Sequence, residues 1–419
     1  MASLIPLLVA AAILLGANGV LTTLITVRAD LEGMSPTMIG AMGTAYFGGY
    51  LLGTIAATRL IGMVGHIRVF AALAALVSSG ALLLAVWTDP YVWLVVRALM
   101  GFCSSGLFTV VESWLAGVST KANRGKVYSA YGMIDITAVT ASQFALPVLG
   151  AEGFLAFAAA AMLMSLSLVP IALSPTTQPG HEETLRLHIW DVWKISPLAF
   201  MACLTIGLSN SAFRTVGPLY AQSAGLKIHE LAMFMGAGIG GGAFLQVPFG
   251  WLSDHFNRRK VLMIATVGAS VASFALSMAP GGNTTLIYAG AFMFGAFAMP
   301  LYSLAAAHAN DFAKQGQYEA VSAGLLFTFA AGSMVGPLLA SYAMQMFGHG
   351  ALFSYICIVH ALLLAWALIR SAMRPAVPKS ARVRHVPSLR TTPSRAGVKG
   401  DDRRPGGALE AAAKSGPVG

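Results

Sequence analysis

The chain is close to continuous apolar sequence, cut by short polar breaks into runs long enough to cross a lipid bilayer. About 20 helical residues span a hydrocarbon layer of about 30 Å. Inside such a layer every backbone N–H and C=O must be paired within the protein, so runs of this length read as helices. Twelve runs can be marked, at 4–27, 37–61, 67–88, 91–118, 127–149, 153–173, 197–222, 230–252, 261–280, 284–307, 318–346 and 350–370. The expected fold is an all-α polytopic membrane protein. Charged residues make up 10% of the chain, against about 25% in soluble proteins, too few to cover a water-facing surface. The apolar start at Ser3 reads as the first span, since no basic stretch precedes it and no clear cleavage site follows.

An even number of spans puts both termini on one side, and the loop charges choose that side. With the N-terminus cytoplasmic, the inner loops hold Arg59, Arg68, Lys121, Arg124, Lys126, Arg186, Lys194, Arg258, Arg259, Lys260 and Lys314, whereas the outer loops hold only Arg28 and Lys227. Lys and Arg concentrate on the cytoplasmic side of membrane proteins. The chain is therefore expected in a bacterial inner membrane, multi-pass, with both termini in the cytoplasm and lipid as its surroundings. The formal net charge of +10 follows from these loops and a basic tail. It marks topology, and no nucleic acid partner is expected.

The longest internal loop, 174–196, opens with the turn-forming series Ser174-Pro175-Thr176-Thr177-Gln178-Pro179-Gly180. Leu185, Ile189, Val192 and Trp193 then mark one helical face, and with Trp190 they predict a short helix lying in the inner interface. The expected division is a first six-helix bundle (1–173), this linker, a second bundle (197–370) and a tail (371–419). The tail is rich in Pro, Arg, Gly and Ser and is expected to be disordered. Its Glu-Ala-Ala-Ala-Lys run at 410–414 has the pattern of an artificial helical spacer as well as of native sequence.

A constant shift of 192 residues relates the two halves. It carries Asn18 onto Asn210, Thr23 onto Thr215, Gly48-Gly49 onto Gly240-Gly241, Arg68 onto Lys260 and Gly132 onto Gly324. Two parallel six-helix repeats with a substrate site between them is the logic of rocking transporters.

After the eighth span the sequence reads Gly250-Trp-Leu-Ser-Asp254-His-Phe-Asn-Arg258-Arg259-Lys260. This resembles the GxxxD-(R/K)-x-x-(R/K)-(R/K) signature of the major facilitator superfamily. Physically it describes a gate. Gly250 permits close helix approach, Asp254 can face the positive N-terminal end of a helix in the other half, and Arg258 and Arg259 can hold the loop at lipid head groups. The expected partner is the start of the fifth span, Asn123-Arg124-Gly125-Lys126. Under the same shift Gly62 stands where Asp254 stands, so the first half lacks the acid. Span four carries Arg97-Ala-Leu-Met-Gly101, similar to the superfamily's RxxxG signature, which that resemblance links to proton-coupled members. Val110-Val-Glu112-Ser113, Asn210-Ser-Ala-Phe213, Gly217-Pro-Leu-Tyr220, Gly241-Gly-Ala-Phe-Leu-Gln246, Pro300-Leu-Tyr302-Ser and Ala307-His-Ala-Asn310-Asp311 look like the YcaD-like group of bacterial major facilitators. The resemblance covers all twelve spans and implies a major facilitator fold of two pseudo-symmetric six-helix bundles with a general transport activity.

Ionisable residues inside a membrane are costly and are functional candidates by default. Arg97 reads as an anion contact or coupling residue, or as a helix-packing donor. Arg214 lies in the opposite half, with Asn210 one turn away, or it snorkels to the outer interface. Two guanidinium groups facing one cavity would grip a carboxylate or phosphate. Asp135 and Glu112 are candidates to carry a coupling proton, while Glu112 can instead pair with Arg124 or Lys126 in the inner gate. Asn18, Gln246 and Tyr302 complete the candidate substrate list, beside Thr22, Tyr46, Tyr50 and Gln143.

Cys103, Cys203 and Cys357 sit singly, so neither a disulfide nor a zinc site is indicated. Met34 and Met38 lack a Cys or His cluster that would make them a copper site. No cofactor is expected, and no nucleotide-binding GxxxxGK(S/T) loop is present. No catalytic cluster or large loop points to an enzyme. The expected function is secondary active transport of a small solute by alternating access, proton-coupled and directed at an organic anion, by a monomer. A proton-antiport exporter of cationic or amphipathic compounds is the alternative within that class, and a non-transporting membrane sensor is the alternative outside it.

Overall fold

In the computed structural model the described residues are 4–120, 123–174, 189–279, 283–313 and 317–373. They form twelve long helical segments: α1 (Ile5–Leu31), α2 (Pro36–Val64), α3 (His66–Val86), α4 (Pro90–Val118), α5 (Gly125–Leu149), α6 (Leu155–Ala172), α7 (Pro197–Ser223), α8 (Ile228–His255), α9 (Arg258–Ser277), α10 (Thr284–Phe312), α11 (Tyr318–Phe347) and α12 (Ala351–Met373). A short linker helix, Ile189–Ile195, precedes α7. Local chemistry sets several starts. Ser35, Asp89 and Ser196 each accept a bond from the first turn of the following helix, and each is followed by proline, whose missing N–H is harmless there.

Eleven of these segments are long and apolar enough to cross a membrane by composition alone. The exception, α7, carries Ser209, Asn210, Ser211, Arg214 and Thr215 along its length. It is the same length as α1, but more of it is buried against other helices. Its polar groups face protein rather than lipid, which lets a helix of this polarity sit in a bundle.

The 192-residue repeat has a physical counterpart. Gly49 of α2 lies against the Ala98 carbonyl of α4, and Gly241 of α8 lies against the Phe292 carbonyl of α10. Gly101 and Gly295 return the contact, on the Tyr46 and Gly238 carbonyls. A Cβ at any of the four would strike backbone. Each half is thus clamped by a helix pair whose axes come close because glycine stands at the crossing, with Gly49 and Gly241 related by a shift of 192 residues and Gly101 and Gly295 by 194.

The two halves meet at the end where α1 turns into α2. There Thr26 Oγ1 donates to Thr215 O across 2.8 Å, Thr44 Oγ1 donates to Met334 O across 2.6 Å, and Thr37 bonds Gln345. Gly40 and Gly43 nestle on Pro337, and Gly236 of α8 faces Phe144 of α5. One apolar core runs through this end and includes residues of both halves. The opposite end is different. A second core there, with Val192, Leu198, Leu262, Leu304 and Leu363, belongs to the second half and the linker helix. Neither α4 nor α10 makes extended contact with the opposite half among the described residues. Among the described residues the bundle is closed at one end and parted at the other.

The linker helix packs on protein: Val192 lies on Gly324 of α11, and Trp193 stacks on Trp366 of α12 at 5.9 Å and meets Phe200 of α7 edge-on at 5.3 Å. Leu185, the Trp190 side chain and the tail from 374 lie outside the described residues.

Candidate functional site

Five helices bring the central polar residues together. Tyr46, on α2, is the hub. Its hydroxyl donates to Asn18 Oδ1 of α1 at 3.2 Å, and the Arg97 guanidinium of α4 lies over its ring at 4.3 Å. Position explains the contact: Gly101 and Gly49 allow α2 and α4 to touch backbone to backbone, which places Tyr46 one turn from Arg97 across the interface. Arg214 enters from α7 in the other half. It interacts electrostatically with Asp135 of α5, and then with Tyr46 and Tyr50. Tyr50 continues an aromatic wall from Tyr46 to Phe108, with ring centroids 6.4 Å apart at each step.

Exposure divides these residues. Arg97 is 3% exposed and Asp135 is fully buried, while Asn18, Tyr50 and Arg214 are half-buried. Arg97 Nε and Asn210 Oδ1 are buried without a hydrogen-bond partner among the described residues. A buried donor and a buried acceptor left this way are costly unless a ligand or water completes them. Gln143 is engaged structurally, accepting from Thr23 at 2.7 Å to tie α1 to α5.

Gln246 and Tyr302 have contacts in the second half. Gln246 Nε2 donates to Ser303 Oγ at 3.0 Å, just beyond the break that Pro300 makes in α10. Tyr302 meets Phe329 edge-on at 5.9 Å. Both are held within the second half.

The gate residues also resolve differently from expectation. Arg258 is 3% exposed and is gripped on three sides. Its Nη1 donates to Asp311 Oδ1 at 2.7 Å and Ala307 O at 2.9 Å, and its Nη2 donates to Asp254 Oδ1 at 3.0 Å. The latch therefore ties the α8–α9 turn to α10 of the same half. Arg259 is 6% exposed and donates to Arg370 O at 3.4 Å. Neither arginine reaches for head groups, because carboxylate and carbonyl partners inside the protein compensate a buried guanidinium better. Gly250 is buried in α8. Glu112 accepts from Tyr128 of α5 through its backbone carbonyl at 3.5 Å. The Arg124 side chain lies outside the described residues.

The family model of the Major Facilitator Superfamily matches residues 7–245 and 200–399. The chain belongs to this superfamily. Similar relatives are uncharacterized MFS-type transporters. One from Enterobacter sp. (strain 638) is 24% identical over 86% of this chain and 93% of its own. One from Yersinia enterocolitica is 26% identical over 86% and 94%. The YcaD protein of Escherichia coli O45:K1 is 25% identical over 86% and 93%. In fold, this facilitator is similar to the crystal structure of the nucleoside transporter NupG, with a TM-score of 0.73 at 13% identity over 88% of this chain and 99% of that one. It is also similar to a bacterial homolog of the human lysosomal transporter Spinster in an inward-facing and unoccupied conformation, with a TM-score of 0.65 at 14% identity over 88% and 93%. The fold is the major facilitator fold, and the facilitator is a multi-pass membrane protein of a transporter family.

Two features of this facilitator escaped the sequence reading. Asp311 closes the Arg258 latch, yet it read as part of a family resemblance with no role. Its signal was available: an acid near the end of α10, facing a loop with three consecutive basic residues. In the first half, His66 stands where Arg258 stands under the 192-residue shift, and its Nε2 lies 3.0 Å from Ser113 Oγ. Because Ser113 already donates to Val110 O, its oxygen is left to accept from His66. A neutral histidine–serine bond thus stands at the place of the ion-paired latch.

Proposed function

We propose that the protein is a proton-coupled secondary transporter of an organic anion, working by alternating access. The observation that carries this reading is the position of Tyr46, which meets Arg97 of one half and senses Arg214 of the other. Two cations, one over the Tyr46 ring and one within electrostatic reach of it, come from opposite halves and suit a carboxylate that must be held by both. Asp135 is the candidate proton carrier. It interacts with Arg214 when ionised, and a proton on it leaves Arg214 to an incoming anion. Proton and anion then favour each other's binding, which gives coupling its physical basis. The candidate substrate residues are Asn18, Arg97, Asp135, Asn210 and Arg214, with Gln246 and Tyr302 supporting α8 against α10.

The excess of Lys and Arg in alternate loops supports a cytoplasmic placement of the parted end and of both termini. The bundle then stands inward-facing, with the Thr26, Thr37 and Thr44 contacts as its outer closure. Glu112, Arg124, Gly250, Asp254, Arg258 and Arg259 belong to the inner gate.

Proteoliposomes with an imposed pH gradient test the reading. Anion movement should follow the gradient, collapse with a protonophore and fall at least tenfold in Arg97→Ala and in Arg214→Ala. Unchanged transport in both variants would remove the anion site. Transport of cations that is lost in Asp135→Asn would support the antiport exporter instead.

A further inference from the structure

The charges of the central cluster can be counted, and the count limits what it can hold. Arg97 keeps its proton at any ordinary pH. Its partner is the face of Tyr46, and no ion pair reaches it among the described residues. Arg214 is the second cation, and among the described residues Asp135 is the carboxylate that acts on it. The cluster therefore carries one positive charge in excess when Asp135 is ionised and two when it is protonated. Beside it runs the wall of Tyr46, Tyr50 and Phe108, and Asn210 offers a buried oxygen with no donor.

Resting on the anion reading above, the geometry points to a narrower substrate class: a monocarboxylate with a flat aromatic body. A single carboxylate is attracted in both states of Asp135. A dianion is balanced only in the protonated one, and a cation in neither. The aromatic body lies along the tyrosine wall, where ring-on-ring contact adds to burial. Asn210 Oδ1 accepts from a hydroxyl or N–H substituent on that body.

Three probes that share a ring and differ in charge test this: benzoate, terephthalate and benzyltrimethylammonium. Binding is read as the saturable rise in melting temperature of the purified full chain in detergent. In the wild type, benzoate should bind at least tenfold more tightly than terephthalate at neutral pH, and benzyltrimethylammonium should give no shift. Asp135→Asn holds the cluster in its two-charge state, so the preference for benzoate over terephthalate should shrink at least tenfold. The wild-type series stands by itself if that variant does not fold. Equal binding of benzoate and terephthalate by the wild type overturns the charge count while leaving the anion reading intact. Binding of the cation alone overturns both. If no probe binds but an aliphatic anion is transported in proteoliposomes, the aromatic class is overturned and the anion reading survives.

Discussion

The turn between α2 and α3 and the turn between α8 and α9 occupy equivalent places in the two halves, but they are held by different physics. In the second half a buried guanidinium is locked between Asp254 and Asp311 and tied to a backbone carbonyl of α10. In the first half the acid is replaced by Gly62, which is exposed, and the arginine by His66, which bonds Ser113 and packs on Trp114 at 5.7 Å. Breaking a buried ion pair costs about 3–5 kcal/mol, whereas a hydrogen bond between neutral groups contributes about 1 kcal/mol. The linker helix adds to the imbalance by docking on the second half. The α8–α9 turn is therefore the more firmly held of the two turns.

The largest effect should come from Asp311→Ala, which removes the buried carboxylate of Arg258 and leaves it only the part-exposed Asp254 as an ion-pair partner among those described, at a cost of about 3 kcal/mol. Thermal unfolding in detergent measures it, and a loss under 1 kcal/mol would mean that the latch is not the anchor described. Asp254→Asn should cost less, about 1 kcal/mol or below, since Asp254 is 27% exposed and solvent screens it.

Where the halves are alike, their responses should match. Gly49→Ala and Gly241→Ala each push a methyl group into a facing carbonyl, with losses of about 1–3 kcal/mol for overpacking. Gly16→Ala meets nothing within 4 Å and serves as the neutral control. A large effect at Gly49 with none at Gly241 would break the structural equivalence of the two clamps.

In the weaker latch, His66→Ala should cost about 1 kcal/mol, and Ser113→Ala should add little to it in a double-mutant cycle. Additive losses would show that the two side chains do not act as a pair. The smallest effects belong to the closed end. Thr26→Val and Thr44→Val each remove one hydroxyl bond to a carbonyl of the other half, worth about 0.6 kcal/mol in a membrane. That should raise the accessibility of cysteines placed on the α1–α2 side about threefold, while the Ser variants stay as wild type.

Much of the architecture was legible in the sequence because lipid enforces it. A segment such as α3 or α12 must be apolar over its whole length and helical throughout, and both properties show in a linear pattern. The paired glycines Gly49 and Gly241 were visible through the repeat, although not their carbonyl partners. The candidate site was legible as a set of costly residues. Asn18, Arg97, Asp135, Asn210 and Arg214 stood out because charge and amide are expensive in hydrocarbon. Gln246 and Tyr302 carried the same signal and turned out to be bound up in the second half.

The sequence by itself determined the twelve helices, their division into repeats, the loop charges and the identity of the buried ionisable groups, all of which follow from local composition. Only the tertiary structure decided which of those groups meet. Tyr46 lies 51 positions before Arg97 and 168 before Arg214, and nothing local says that one ring touches the first and senses the second. The same holds for Arg258 and Asp311, and for the choice of which end of the bundle is closed. These depend on how helices pack across the bundle, where a contact is set by shape and distance in three dimensions rather than by spacing along the chain.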